Sequence, residues 1–404
     1  MKLKISSAWW QVVIAMLVQA VSAGSIFTGY GVVVAPLKME FEPSNFVLML
    51  GVSVTSMLSG LMSPFLGAAI DRFSVRKLML LGVALVASGF LLMSLCQSFT
   101  QIVLIYAVFM AAASVLLGPI ATSALLARWF DTKRGLAMGV ASSGAAIGGL
   151  FIPPLLQGLV DGLEWRAALQ VFSVFVVVVS APMILYFVVD WPVGEQKEGE
   201  TTPVAPSSVS LRASMSALRD SNFWLMALIM GAIFSGAMGI ISNLIQVVAE
   251  KGFSASQGAI LISLFSGASF AGKLFMASTA DRLGQRMALA LTLCGIVVGV
   301  VVLLQASSLN MFMLASLIIG LFSGTATPLW SLILSHIYGA ARIGKMMGLM
   351  NLIFLPLTLS APPLFGWISD VTGSYDMALL GYIGFLFVAL LLVMKLRTEG
   401  VHSN

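Results

Sequence analysis

"GAAIDRFSVRK" occupies residues 67–77 and "ASTADRLGQRM" occupies residues 277–287. Each places Asp-Arg after a long apolar run, Asp71-Arg72 in the first copy and Asp281-Arg282 in the second. Each carries a further basic residue four positions past that Arg, Arg76 and Arg286. The two copies stand 210 residues apart. Recurrence at that distance signals an internal duplication, and it aligns the second apolar run of the chain with the eighth.

Working outward, hydrophobic residues make up 59% of the 404 and charged residues 9%, against roughly 45–50% and about 25% in an ordinary globular chain. A soluble core cannot absorb that much apolar surface, whereas a bilayer can. A spanning helix needs about 20 apolar residues, and twelve such runs are present: 8–34, 45–69, 78–96, 102–127, 135–159, 166–190, 222–249, 256–280, 287–306, 310–338, 346–368 and 376–395. The longest polar stretch, "WPVGEQKEGETTPVAPSSVSLRAS" at 191–214, is rich in Pro, Ser, Thr, Glu and Gly and reads as a linker. Six runs precede it and six follow. The expected fold is therefore an all-α membrane protein with twelve transmembrane helices in two pseudo-symmetric six-helix halves. The N-terminal half is 1–190, the cytoplasmic linker 191–221 and the C-terminal half 222–404.

Net charge is +5, and its distribution decides its meaning. With the N-terminus inside, seventeen Lys and Arg fall on the cytoplasmic side and three, Lys38, Arg166 and Lys251, on the other. That asymmetry is the positive-inside pattern, so the basic balance encodes orientation, both termini cytoplasmic, and not nucleic-acid binding. "MKLK" followed by an apolar run and "VSAG" imitates a secretory signal, but Gln11 and Gln19 interrupt the run, which reads as the first span. The two cysteines, Cys96 and Cys294, have no metal-ligand spacing, and neither a metal nor another cofactor is expected. No Ser/His, paired-Asp or metal cluster lies at membrane depth, so an enzyme is not expected either.

Gly67, Asp71, Arg72, Arg76 and Lys77 match G-x-x-x-D-R-x-x-x-R-K, which resembles the loop signature of the major facilitator superfamily. Ser74 stands where the family has an internal Gly, and Ala277 replaces the first Gly of the second copy. The resemblance covers the whole chain and implies the major facilitator fold, a transport function and a latch role for Gly67, Asp71, Arg72, Arg76, Lys77, Asp281, Arg282 and Arg286. Their ion pairs would hold helix ends together on one side and break on opening; the plainer reading is solvated helix ends. "ARWFDTKRGLAMGVASSGAAIGG" (127–149) and "GLMNLIFLPLTLSAPPLFGWISDVTGSYDMALL" (348–380) resemble the monocarboxylate and oxalate/formate branch. Relatives in that branch commonly carry a basic residue, usually Arg, in span eight, and the eukaryotic ones an Asp one turn before, where this chain has Ser269.

The sixteen acidic residues fall in loops or at span ends; of the twenty-one basic residues only Lys273 lies well inside a span. Eight residues separate it from Asp281, about 12 Å of helix, which puts it near the bilayer midplane. A central lysine costs about 2.5–3.5 kcal/mol to insert and marks a substrate or ion pathway. Its partner at the 210-residue offset is Ser63, so the halves match as scaffold and differ at the charge. Weaker candidates are Trp330 and Asn351, Gln19 and Ser22 on one face of span one, and Asn243 in span seven, each equally readable as packing or interhelical glue. In span five, Gly139, Gly144 and Gly148 read as close helix contacts, and Gly118-Pro119 in span four as a bend. Together these imply a secondary transporter, monomeric, in the bacterial inner membrane. It would carry a small organic anion, a monocarboxylate held by Lys273, with proton symport or anion exchange. The alternatives are a drug/proton antiporter and a non-transporting sensor on the same fold.

Overall fold

The computed structural model describes residues 8–130, 134–190, 219–338 and 343–396, so most of the expected linker lies outside the described residues. Among these, twelve helices are long and apolar enough to cross a membrane. They are span 1 (Ala8–Phe41), span 2 (Asn45–Ile70), span 3 (Val75–Ser94), span 4 (Phe99–Trp129), span 5 (Leu136–Gly162) and span 6 (Trp165–Phe187). The series continues with span 7 (Ser221–Glu250), span 8 (Ala255–Met276), span 9 (Gln285–Leu304), span 10 (Leu309–Tyr338), span 11 (Met346–Thr372) and span 12 (Asp376–Lys395). The chain is an integral membrane protein. Expected and observed spans coincide except at their ends: span 1 runs seven residues further, carrying Pro36 inside the helix.

Hydroxyl caps start several spans. Ser44, Ser74 and Ser98 accept from the N–H groups of Val47, Lys77 and Gln101, meeting donors that a helix start leaves without partners. The duplication is visible at backbone level. Glu42 (φ 48°) and Gly252 (φ 86°) are both left-handed at the 210-residue offset. Ser74 and Gly284 occupy the same offset but differ, Ser74 at φ −62° as a helix cap and Gly284 at φ 74°. The Ser-for-Gly departure in the first loop thus accompanies a changed backbone, in which left-handed geometry is not required.

By contacts the chain forms two compact units, Met1–Gln196 with Ile241–Gly267, and Lys197–Ile240 with Ala268–Asn404. In the first, Phe90 of span 3 and Phe172 of span 6 meet edge to face at 5.1 Å, both fully buried. Spans 1 and 5 meet backbone to backbone: a Cβ on Gly144 would lie 1.9 Å from the Met16 carbonyl oxygen, and one on Gly148 2.0 Å from that of Ala20. Gly139 has nothing within 4 Å of a Cβ: it stands five residues before Gly144, about 140° around the helix, and so faces away from the contact with span 1. The expected bend in span 4 is present, with Gly118 extended (φ −85°, ψ −161°) ahead of Pro119. The second unit repeats a span 3–4 contact of the first in spans 9 and 10. Gly89 leaves room for Phe109 and Met110, and 210 residues on Gly299 leaves room for Ile319.

Candidate functional site

Span 8 reaches Lys273 through a sequence of small residues, "SGASFAGK" at 266–273. Small residues let helix backbones approach in a membrane, and span 8 uses them against span 10. A Cβ on Gly272 would lie 1.9 Å from the Leu321 carbonyl oxygen, and one on Gly324 2.1 Å from that of Ser269. Lys273 follows immediately, half-buried, and no described residue forms an ion pair or hydrogen bond with its ammonium.

Trp330 lies six residues past Gly324, about 9 Å along span 10. It is 8% exposed. Its ring centroid stands 5.8 Å from Phe234 of span 7 and 5.5 Å from Phe354 of span 11, and those two rings are 5.6 Å apart. The three rings form a closed triangle, with Phe234 its half-buried member. The indole N–H donates to the Met350 thioether at 3.3 Å, a weak acceptor. The second unit therefore holds a cation with no partner among the described residues beside the crossing of spans 8 and 10, and an aromatic cluster about 9 Å along span 10 from that crossing.

The other expected contacts are not gathered here. Asn351 follows Met350 but is exposed and outside the triangle. Gln19 donates to the Thr122 hydroxyl at 2.8 Å, a buried brace between spans 1 and 4. Ser22 and Asn243 are buried in the first unit.

The signature loop makes a clamp onto span 6. Asp190, just past its end, accepts from the Ser74 hydroxyl and from the Arg76 N–H at 3.1 Å. Arg128 of span 4 approaches the same carboxylate at 3.8 Å and donates to the Ile70 carbonyl at 2.9 Å. The Arg76 guanidinium donates to the Leu185 carbonyl. Trp129 and Gln11 tie the same segment through Val189 and Phe187, each at 2.8 Å. Sequence reading missed Asp190, Ser74 and Arg128 as partners; the signal available was an aspartate standing at the end of an apolar run. Of the expected latch residues, Arg72, Lys77 and Arg286 are exposed and Gly67 has nothing within 4 Å of a Cβ. The side chains of Asp71, Asp281 and Arg282 lie outside the described residues.

The comparisons agree with this architecture. The chain matches the family model described as Major Facilitator Superfamily over residues 13–352 and 230–404. It is 24% identical over 375 residues to monocarboxylate transporter 13 of Bos taurus, covering 91% of this chain and 84% of that protein. To an uncharacterised MFS-type transporter of Bacillus subtilis it is 22% identical over 348 residues, covering 84% and 83%. Among solved structures, a bacterial homologue of the human lysosomal transporter Spinster, inward-facing and unoccupied, superposes with a TM-score of 0.77 at 14% identity, covering 98% of both chains. With the duplicated loops, the twelve spans and a family match along nearly its whole length, the chain belongs to the major facilitator superfamily and is a transporter, not an enzyme.

Proposed function

We infer that this transporter carries a small organic monocarboxylate, bound through Lys273 and moved by alternating access. The observation that carries this reading is the half-buried ammonium of Lys273 inside span 8, with no described acidic partner. A bare cation at that depth is costly, and a bound carboxylate supplies the missing counter-charge. The aromatic triangle of Phe234, Trp330 and Phe354 suits an apolar or aromatic tail. Similarity to proteins named monocarboxylate transporters 12 and 13 supports the same substrate class.

With no described carboxylate beside Lys273, the anion enters together with a proton or in exchange for another anion. The chain works as a monomer in a bacterial inner membrane, with both termini cytoplasmic as the charge asymmetry implies. A thermal-shift panel of organic anions on purified protein, followed by uptake of the best stabiliser into proteoliposomes, tests the reading, because a ligand stabilises the state it binds. Stabilisation and uptake of a monocarboxylate support it; stabilisation by cationic drugs alone refutes it.

A further inference from the structure

Two short π-helical segments interrupt the first unit, Gly24–Thr28 in span 1 and Tyr106–Met110 in span 4. A π turn takes up an extra residue, which rotates everything beyond it by about 100° relative to an unbroken α-helix. Three hydrogen bonds hold the turn in span 1. The Gly29 N–H donates to the Gly24 carbonyl, and the Thr28 hydroxyl donates to the same oxygen at 3.0 Å. From span 4, the Tyr106 hydroxyl donates to the Ile26 carbonyl. Tyr106 is fully buried, its ring centroid 4.7 Å from that of Tyr30.

The register beyond the turn decides what span 1 packs against. A Cβ on Gly149 of span 5 would lie 2.3 Å from the Ser266 hydroxyl of span 8 and 3.3 Å from the Thr28 methyl. A Cβ on Gly31 would lie 3.5 Å from Ile262 of span 8 and 3.8 Å from the Ser242 carbonyl of span 7. All these residues belong to the first unit. Buried polar groups without a protein partner lie beside this contact. Gln246, one turn from Ser242 on span 7, is 7% exposed, and both its amide atoms lack a partner among the described residues. The hydroxyls of Ser242 and of Ser25, inside the π turn, lack one as well. Such groups favour any arrangement that lets water reach them.

We propose that the Tyr106 hydroxyl is the pin of a register switch in span 1. While it holds Ile26, the π turn keeps the Thr28–Gly31 face against spans 7 and 8. When it lets go, the turn relaxes to α-helix, that face rotates away, and water reaches Ser242 and Gln246. Tyr106 is then a positioning residue for the transport cycle, whatever anion is carried.

The test uses the full chain with Cys96→Ala and Cys294→Ala, purified in detergent, with Ser242→Cys as the reporter of a water-soluble maleimide. Labelling is slow in this parent. Tyr106→Phe raises the rate about tenfold or more, Thr28→Val raises it in the same direction, and Gln246→Leu lowers it. Phe312→Ala, a core truncation in the second unit, lowers the melting temperature and leaves the rate unchanged. Labelling of folded Tyr106→Phe at the parent rate overturns the proposal, as does an equal rise in Phe312→Ala, which marks general loosening. If Tyr106→Phe does not fold, the Thr28→Val rate decides alone.

Discussion

A Cβ on Gly272 would stand 1.9 Å from the carbonyl oxygen of Leu321, so span 8 rests on the backbone of span 10 one residue before Lys273. The obstacle is main chain and cannot swing aside as a side chain can. Gly272→Val must therefore push the two helices apart, at about 1–3 kcal/mol for overpacking, and carry the ammonium with it. The expected outcome is an inserted protein with a lowered melting temperature and no stabilisation by monocarboxylates. Gly381→Ala is the contrast, since nothing lies within 4 Å of its Cβ; it leaves anion stabilisation unchanged and does not lower the melting temperature. Equal anion stabilisation in Gly272→Val and the parent would contradict the dependence of Lys273 on this contact.

The position of Lys273 inside span 8 was legible from the chain because a charge inside an apolar run stands out, and the span pattern rests on the same contrast between water and lipid. The duplication was legible because two loops kept Asp-Arg at one offset, and Glu42 and Gly252 keep it in backbone geometry. The aromatic triangle was not, since Phe234, Trp330 and Phe354 come from three spans and twenty-five phenylalanines offer no reason to choose two. The π turns were equally hidden: an extra residue in a helical turn leaves the apolar pattern intact. Gly139 was placed wrongly on the face of Gly144 and Gly148: a five-residue step turns the helix about 140°, and only the four-residue pair Gly144 and Gly148 meets span 1.

Asp190 gathers Ser74, the Arg76 N–H and Arg128 at the end of span 6. Replacing it with Ala removes the acceptor and leaves the cap hydroxyl and a largely buried guanidinium without their carboxylate. A loss of about 1–3 kcal/mol follows, read as a lower melting temperature in detergent. Asp190→Asn keeps an acceptor oxygen and recovers part of it. Ser74→Ala, which removes a helix cap and one arm of the clamp, costs about 1 kcal/mol. If Asp190→Ala melts with the parent protein, the clamp contributes nothing to stability.

Trp330 and Phe354 meet at 5.5 Å and supply the apolar half of the proposed site. Trp330→Ala removes one wall of the triangle, so monocarboxylates with branched or aromatic tails should weaken about tenfold or more, and acetate-sized ones much less. The selectivity ratio between the two classes is the measurement. A uniform loss across all anions would instead mark Trp330 as a packing residue that supports the fold of spans 7, 10 and 11.

Charge number follows from the single ammonium of Lys273. One fixed cation neutralises one carboxylate, and a second carboxylate in the same low-dielectric site stays unpaired and costly to desolvate. Span 11, Met346–Thr372, contains no Lys or Arg that could serve as a second cation. Oxalate should therefore bind at least tenfold more weakly than a monocarboxylate of similar size, about 1.4 kcal/mol or more. Lys273→Gln should abolish anion-dependent stabilisation in an inserted, folded protein. Lys273→Arg keeps the charge but replaces a compact ammonium with a planar fork, so it should retain part of the binding. Competition between oxalate and the monocarboxylate, measured on the parent and both variants, separates the possibilities. Oxalate binding at full strength would require a second cation at the site, and full transport by Lys273→Gln would remove Lys273 from it altogether.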